Sequence, residues 1–287
     1  MTMMKIERWI GWAFCAQLLL ILVLGGIGAA RMGDPTLRTA TFLGGGAWLA
    51  LLLATASPAG SVWASYRGLL QFVACWLIFP LLKGIATVFI THRADASLLA
   101  LDRALWGGAS LTEHLLSWQR PWLSELLSTG YFLFYFLVLL PVIGFAKRRH
   151  EGEARAFFLG LTTMYLIGFS GYLLVPASGP YAAFPELFSY PVQGGAMTAM
   201  LTKVVAAGIT GMDVFPSLHS GIGVYVLGFF ALGGHRRIAL LLTPVVAALV
   251  LATVYLRYHY GIDVLAGLLL AALVLAFIRR YRKEIDA

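Results

Sequence analysis

The sequence predicts an all-α integral membrane protein with about eight transmembrane helices. Hydrophobic residues make up 60% of the 287 residues and charged residues only 12%, whereas a soluble globular domain is about 25% charged. A membrane-spanning helix needs about 20 mostly apolar residues, and apolar runs of that length recur along the chain. This composition excludes an ordinary soluble enzyme, and no stretch between the runs is long enough for a soluble domain of usual size.

Each predicted span is an apolar run that ends at charged residues, Gly or Pro. The eight segments are 9–30, 37–56, 69–90, 126–146, 156–175, 217–233, 238–256 and 263–278. The first of them is longer than a signal-peptide core, so we expect it to remain as a span. Cys15 and Cys75 both fall within spans, which indicates small core residues and neither a disulfide nor a metal pair.

The positive charges predict the orientation. A net charge of +8 raises the question of nucleic acid, but the Lys and Arg clusters at 147–149, 236–237 and 279–280 lie between apolar runs. Cytoplasmic loops carry such clusters by the positive-inside rule, so no nucleic-acid partner is expected. With eight spans both termini share the more basic side. We therefore predict an inner (plasma) membrane protein with cytoplasmic termini.

Two loops on the predicted outer side are long enough to hold structure. Residues 91–125 mix Leu and Trp with charged residues, which predicts one or two amphipathic helices lying in the membrane interface. Residues 176–213 are rich in Pro and Gly, which makes helix improbable through most of that loop. Lys83 falls within the third span, and the sequence offers no partner for it.

Three ionisable residues at span ends are the candidate catalytic groups. His219 lies one turn into the sixth span, and His259 and Asp263 lie at the junction of the seventh and eighth. The charge-derived topology puts all three at the outer face. Ionisable groups at membrane depth mostly face a cavity or the bundle interior. A spacing of four brings His259 and Asp263 together on a helix, where the carboxylate can orient the imidazole as a base or nucleophile.

The start of the sixth span is a predicted anion site. Pro216 suits the first turn of a helix and Ser217 suits its cap. The helix would then direct free amide groups and the positive end of its dipole at the cavity that His219 faces. Phosphate is an anion that such an end binds well.

These residues resemble the motifs of a known family. Pro216-Ser217-Leu218-His219 and His259-x3-Asp263 are similar to the second and third motifs of the type 2 phosphatidic acid phosphatase (PAP2) superfamily. Segment 173–181 resembles the Pro-rich segment of its inositol-phosphorylceramide synthase and sphingomyelin synthase branch. The likeness covers roughly residues 100–278. It implies N-terminal transmembrane helices over 1–90 and a PAP2-like catalytic helical bundle over 91–287.

The resemblance also implies roles for individual residues. His259 would be the nucleophile on phosphorus, Asp263 its partner, and His219 the acid that protonates the leaving oxygen. Ser217, the amide of Leu218 and the cation of Arg257 would hold the phosphoryl oxygens. A second set of residues is expected to line the substrate cavity: Asp213, Tyr258, Tyr260, Pro176 and Tyr181.

Two cations of the family's phosphatases are missing from this sequence. The phosphatases carry a Lys-x6-Arg-Pro motif, but Arg120-Pro121 here has Glu113 at the Lys position and precedes the fourth span. Ala252-Thr253 occupies the place of the Ser-Arg pair that opens the third motif. The synthase branch lacks these cations too, which favours transfer of a phosphorylated head group. Arg257 or Lys203 is a candidate replacement.

The predicted function is that of a membrane lipid phosphotransferase or phosphatase working through a phosphohistidine. Its partners would be a lipid phosphate or phospholipid donor, a lipid hydroxyl or water as acceptor, and the bilayer, with no cofactor and no metal. Three alternatives remain open: a buried polar network that joins helices, a zinc site of two His and one Asp, and a lipid transporter or lipid-binding protein. Inverted repeats typical of transporters are not visible in the sequence.

Overall fold

A computed structural model describes residues 3–149, 151–188 and 190–285, and within these ranges the chain is helical without any strand. The helices in chain order are α1 Met3–Met32, α2 Pro35–Ala56, α3 Val62–Ile78, α4 Leu82–Val88, α5 Asp95–Leu105, α6 Leu111–His114, α7 Pro121–Phe132, α8 Phe134–Lys147, α9 Gly152–Leu174, α10 Pro180–Ala183, α11 Ala196–Gly208, α12 Leu218–Leu232, α13 Arg236–Tyr255 and α14 Gly261–Ile285. Short 3-10 turns at Phe79–Leu81 and Leu115–Trp118 join α3 to α4 and follow α6.

Seven helical segments of the described chain are long and apolar enough to cross a membrane. They correspond to seven of the eight predicted spans, with α3 continuing into α4 and α7 into α8. Large apolar side chains such as Phe42, Leu240 and Leu241 are more than 70% exposed on them, as expected for surfaces that contact lipid. The predicted all-α membrane fold is confirmed, and the protein is a multi-pass membrane protein.

The predicted sixth span is shorter than the others. It forms α12, which has 15 residues, whereas a helix that crosses the bilayer core has about 17–25. The reason is local: the chain reaches Ser217 in a non-helical conformation, and the helix ends at Gly233. Since the orientation was derived from an even number of spans, the cytoplasmic placement of the termini stays a prediction.

The chain divides into two compact units. The first contains 1–90, 140–167 and 274–287. Within it, α1 lies against α4 at glycines: a Cβ added to Gly28 would come within 2.5 Å of the Gly84 backbone. Lys83 sits on the same short helix but is exposed, five residues before the end of the span. A lysine stem at that depth can extend to the interface, so Lys83 does not need a buried partner.

The second unit contains 91–139 and 168–273. Its segment 91–125 forms α5 and α6, which confirms the predicted helices, while their position in the interface stays a prediction. The fully buried Asp102 organises this segment, because its carboxylate accepts the amides of Leu111 and Ile262 at 3.1 and 2.7 Å. The indole of Trp106 donates to the same carboxylate at 3.1 Å.

Loop 176–213 contains a longer helix than its composition indicated. Ala196–Gly208 forms a 13-residue helix, α11, that the Pro- and Gly-rich composition did not indicate. A carboxylate from another helix begins it: Glu125 on α7 accepts the amides of Gly195, Met197 and Thr198 at 2.7–3.0 Å. Such a cap is invisible to local sequence patterns because its acceptor lies some 70 residues away.

Candidate active site

The two candidate histidines and the aspartate lie together in the second unit. Nδ1 of His259 is 3.1 Å from Oδ1 of Asp263, and both side chains are buried. The ring of His219 lies across from that of His259, with centroids 5.7 Å apart and an interplanar angle of 62°. Since Asp263 engages Nδ1 of His259, Nε2 is the ring nitrogen left for a ligand.

The His259–Asp263 pair forms for a different reason from the one predicted. Helix α14 begins at Gly261, so His259 precedes the helix, and a helical spacing of four does not apply. The loop itself is fixed by backbone bonds, because the amides of Tyr258 and His259 both donate to the carbonyl of Thr253 at 3.0 Å. Asp263 completes the turn by accepting the amide of Tyr260 through Oδ2 at 3.0 Å.

The start of α12 is docked on the start of α14. The amide of Ser217 donates to the carbonyl of Asp263 at 3.0 Å. A Cβ on Gly267 would come within 2.2 Å of the Ser217 carbonyl oxygen, so only glycine permits this approach. Ser217 is the cap of α12, as predicted, and its hydroxyl accepts the amide of Ser220 at 3.4 Å. Pro216, expected in the first turn, instead precedes the cap.

Two glycines of α9 allow the start of α12 and the residue before its cap to pack closely against α9. A Cβ on Gly171 would meet Pro216 at 2.4 Å, and one on Gly168 would meet the side chain of Leu218 at 2.5 Å. Leu218 therefore faces α9, and only its backbone is available for the predicted contact with phosphoryl oxygens. These contacts hold His219, one residue further on, against the His259 loop.

Among the described residues the imidazole of His219 has one hydrogen-bond partner, and its second nitrogen is unpaired. Its Nε2 is 3.2 Å from the hydroxyl of Tyr131 on α7, and the two rings are 4.8 Å apart. Phe134 packs on the same imidazole, with centroids 4.7 Å apart. Nδ1 of His219 is buried and has no hydrogen-bond partner among the described residues. A buried polar atom without a partner is costly, and a ligand oxygen would satisfy it.

Aromatic side chains surround the histidines. One of them, Tyr131, contacts His219 directly but was not identified from the sequence. Tyr131 also contacts the ring of Tyr258 edge-on at 5.3 Å, and Tyr258 in turn lies 6.4 Å from Tyr181. Tyr131 lies inside an apolar run that contains several aromatic residues, so nothing in the sequence distinguished it. Burial raises the pKa of Tyr258 to about 12, which keeps its hydroxyl protonated.

Asp213 is half-buried close to the histidines. Its Oδ1 accepts the hydroxyl of Thr210 at 2.7 Å. Burial raises the pKa of this carboxyl, while the bond from Thr210 and the charge of His259 act in the opposite direction. The position is consistent with the predicted place beside the substrate, which stays a prediction.

Tyr260 and Pro176 have structural roles that differ from the predicted place in a substrate cavity. Tyr260 is fully buried, and its hydroxyl donates to Oδ1 of Asp95 at 2.9 Å. The same carboxylate accepts the amides of Ser178 and Gly179 at 3.0 Å. Pro176 is half-buried, and its carbonyl accepts the amide of Ala94 at 2.8 Å. The Pro-rich segment is therefore tied to α5 and to the loop before α14.

Arg257 was predicted to bind phosphate, but the structure engages it with a loop. Its guanidinium donates to the carbonyls of Phe188 and Tyr190 and, at 2.9 Å, to Oε1 of Gln119. It also lies 5.4 Å from the centre of the Phe188 ring. Its backbone φ is 69°, in the left-handed region. Residues other than glycine are uncommon there and occur mostly in turns.

The positions where the superfamily's phosphatases carry cations hold residues with other partners here. Thr253, in place of Arg, is fully buried, and its hydroxyl donates to the carbonyl of Val250 at 2.7 Å. Glu113, in place of Lys, forms a two-bond ion pair with Arg103, and this hydrogen bonding lowers its pKa to about 2. Lys203, the second candidate replacement, is exposed on α11.

The comparison with protein families gives one match. The model of the PAP2 superfamily matches residues 96–277, which contain the histidines, the aspartate and every segment that positions them. No curated protein and no solved structure matches the chain. The match covers more than half of the chain and supports phosphatase or phosphotransferase activity in general. This membrane protein belongs to the PAP2 superfamily.

Proposed function

We propose that this protein transfers a phosphorylated head group between lipids, or from a lipid to water, through a phosphohistidine at His259. The observation that carries the proposal is the oriented pair of His259 and Asp263 with His219 across from it, 5.7 Å between ring centroids. One imidazole has a free Nε2 and a carboxylate on its other nitrogen, which is the arrangement of an activated nucleophile. The other is a general acid or base within reach of the same phosphorus.

In the first step Nε2 of His259 attacks phosphorus and the bond from phosphorus to the leaving oxygen breaks. The leaving oxygen takes a proton from His219. We assign that proton to Nδ1 of a His219 imidazolium, because its Nε2–H can donate to the Tyr131 hydroxyl oxygen while Nδ1 has no partner in the described chain. In the second step the acceptor hydroxyl attacks phosphorus, its proton passes to Nδ1 of His219, and the bond to His259 breaks. Both histidines then return to their starting states.

Asp263 supports the first step in two ways. By accepting Nδ1–H of His259 it selects the tautomer that has a lone pair on Nε2. Its negative charge also stabilises the positive imidazole that forms when nitrogen bonds to phosphorus. The amides at the start of α12 would receive the phosphoryl oxygens, since Ser217 ends the preceding loop and α12 begins there.

The scarcity of cations supports transfer of a phosphodiester group over hydrolysis of a monoester. A monoester carries nearly two negative charges at neutral pH and a diester only one. The positions where the superfamily's phosphatases hold Lys and Arg are taken here by an ion-paired Glu113 and a buried Thr253. A site that relies on amide dipoles suits the smaller charge. This supports the proposal that the protein resembles the synthase branch in its reaction.

The lipid nature of the substrate is inferred from the surroundings of the histidines. Tyr131 and Phe134 contact His219, and Tyr258 contacts Tyr131. Apolar walls around a reacting phosphate favour a donor whose remainder is hydrocarbon. The acceptor would be a lipid hydroxyl or water that enters by the same path.

Trapping of the intermediate tests the proposal. The donor is a radiolabelled nitrophenyl phosphodiester, whose leaving group needs little help from an acid. His219→Ala should accumulate label on the protein, stable to alkali and labile to acid as a phosphohistidine is, whereas His259→Ala should incorporate none. His114→Ala is the matched control, because the exposed side chain of His114 bonds only to the carbonyl of Trp106 among described groups. Labelling of the His259→Ala protein would overturn the assignment of the nucleophile.

A further inference from the structure

The first unit contains a cavity of about 570 Å³ that the proposed reaction does not use. Its wall is strongly basic. Five cations line it and only one carboxylate does: Lys5, Arg8, Arg67, Arg149, Arg155 and Glu7. All five cations belong to segments that loop charge assigns to the cytoplasmic side. The positive-inside rule accounts for the side of the membrane, but it does not require cations to converge on a cavity.

The single carboxylate is already neutralised. Glu7 is 11% exposed and pairs with Arg67 and, at 2.8 Å, with Arg155. The hydroxyl of Tyr281 donates to it at 2.7 Å. In the described part of the chain no carboxylate pairs with Lys5 or Arg8. The cavity therefore keeps an excess of positive charge that its own residues do not balance.

One of the cations is held in place facing the cavity. Nε of Arg149 donates to the hydroxyl of Ser65 at 3.1 Å, and its guanidinium lies 4.2 Å from the centre of the Tyr66 ring. The N-terminal turn of α3 lines the same cavity through its cap Ser61 and through Ala64. The positive end of a long helix adds to the side-chain charges. Anions that carry several oxygen atoms, phosphate above all, fit such a set.

The rest of the wall is apolar, and exposed tryptophans flank it in the sequence. Ile10, Phe158 and Leu159 line the cavity beside the cations. Trp9 and Trp63, adjacent to lining residues, are 68% and 56% exposed, and tryptophan is enriched at the level of the lipid head groups. A ligand that combines a phosphate with hydrocarbon satisfies both parts of the wall.

We propose that this cavity binds the phosphate group of an anionic membrane lipid, at a site that shares no residue with the histidine site. Basic pockets between transmembrane helices on the cytoplasmic side are suited to such head groups. The proposal does not depend on the function of the histidines, because each of its residues belongs to the first unit.

The test compares two triple variants of the full-length protein in non-ionic detergent. Lys5→Gln/Arg8→Gln/Arg149→Gln removes three cavity cations and spares the two that pair with Glu7. Lys147→Gln/Arg236→Gln/Arg237→Gln is the control, since it makes the same change of charge at exposed cations on the same predicted side. Both proteins keep identical histidine sites, so any lipid bound there contributes equally.

The probes are dioctanoyl phosphatidylglycerol, dioctanoyl phosphatidylcholine and glycerol 3-phosphate, with the dissociation constant measured by native mass spectrometry. Each cation near an anionic lipid contributes roughly fivefold in affinity, so the cavity variant should bind phosphatidylglycerol at least tenfold more weakly than wild type. The control should stay within twofold. Glycerol 3-phosphate should bind weakly to all three proteins, and the affinity for phosphatidylcholine should not differ between them.

Equal losses in the two variants would overturn the proposal, because they would show an effect of overall charge. Glycerol 3-phosphate binding as tightly as the lipid would also overturn it and would indicate a site for a free phosphorylated solute. The cavity variant could have a lower melting temperature than wild type in the absence of lipid. In that case the single variant Arg8→Gln is compared with Arg236→Gln as its control, and the same outcomes apply. Arg8 is exposed and has no ion pair in the described chain, so its loss should not unfold the protein.

Discussion

Asp263→Asn is the substitution that tests the proposed mechanism most directly. The two carboxylate oxygens have different partners: Oδ2 accepts the amide of Tyr260 at 3.0 Å, and Oδ1 faces Nδ1 of His259 at 3.1 Å. A backbone amide can only donate, so the asparagine oxygen has to take the Oδ2 position. The asparagine amino group then faces Nδ1, which must become an acceptor. That moves the proton of His259 to Nε2 and removes the lone pair that attacks phosphorus.

The magnitude follows from the tautomer. A comparable Asp→Asn change in a Ser-His-Asp triad lowers kcat by about 10⁴, an instance of the same wrong-tautomer effect. At about 1.4 kcal/mol for each factor of ten, this is a loss of about 5.5 kcal/mol in transition-state stabilisation. Binding of the donor should change little, because the asparagine has the same shape.

A second orientation of the asparagine side chain would avoid this loss of activity. It would lower the stability of the protein by a measurable amount. If the side-chain amide of the asparagine rotates by 180°, its oxygen faces Nδ1 and His259 keeps its tautomer. The amino group of the asparagine then faces the backbone amide of Tyr260, which is also a donor. Leaving such a buried donor unpaired costs about 1–3 kcal/mol, which would lower the melting temperature. The assay is release of nitrophenolate from a nitrophenyl phosphodiester, with thermal unfolding measured in the same detergent.

Asp34→Asn is the matched control. Asp34 caps α2 by accepting the amides of Thr36 and Leu37, and asparagine is as good a cap as aspartate, so neither activity nor melting temperature should change. An Asp263→Asn protein that kept more than a tenth of the wild-type rate together with the wild-type melting temperature would refute the proposed role of the carboxylate.

Three further predictions test separate parts of the proposal. Turnover should survive EDTA, because imidazole attack on phosphorus needs no Lewis acid; loss with EDTA and recovery with zinc would instead support the metal-site reading. Tyr131→Phe should lower kcat roughly 2- to 12-fold, the value of one net hydrogen bond, with little change in melting temperature, since only the bond to His219 is lost; a wild-type rate would remove Tyr131 from the site. In intact cells an impermeant thiol reagent should label Ala182→Cys and not Glu151→Cys, with little background from the buried Cys15 and Cys75; the reverse pattern would invert the predicted topology.

The parts of the fold that were predictable from sequence are those that depend on composition. Runs of apolar residues identify spans because the bilayer requires every backbone group to be bonded within the helix. The three ionisable residues were identifiable for a related reason: charge is rare in such runs, so His219, His259 and Asp263 stand out. Their meeting at one site also required two chain segments to dock, which depends on the close approach at Gly267.

The residues that escaped sequence analysis act through long-range contacts. Glu125 begins α11 from another helix, and Asp95 and Asp102 bind backbone amides of distant loops. In the sequence these acids resembled the polar faces of interfacial helices, because a buried acceptor and a solvated one have the same local pattern. The contacts of Arg257 were also invisible in the sequence, and its predicted role in phosphate binding stays a prediction. Its charge suggested phosphate, but its two terminal nitrogens donate to the carbonyls of Phe188 and Tyr190 and to Gln119.

The architecture of the site has a consequence for the choice between lipid acceptor and water. His259 is 3% exposed, and its partner Asp263 is fully buried, so bulk water has little direct access to the proposed phosphohistidine. A phosphoenzyme in such a site persists until a hydroxyl arrives beside Nδ1 of His219. A lipid acceptor brings hydrocarbon that can pack against Tyr131 and Tyr258, and water brings none. Apolar packing contributes about 25 cal/mol for each Å² buried, so under the proposed function we expect a lipid acceptor to bind at this site more favourably than water.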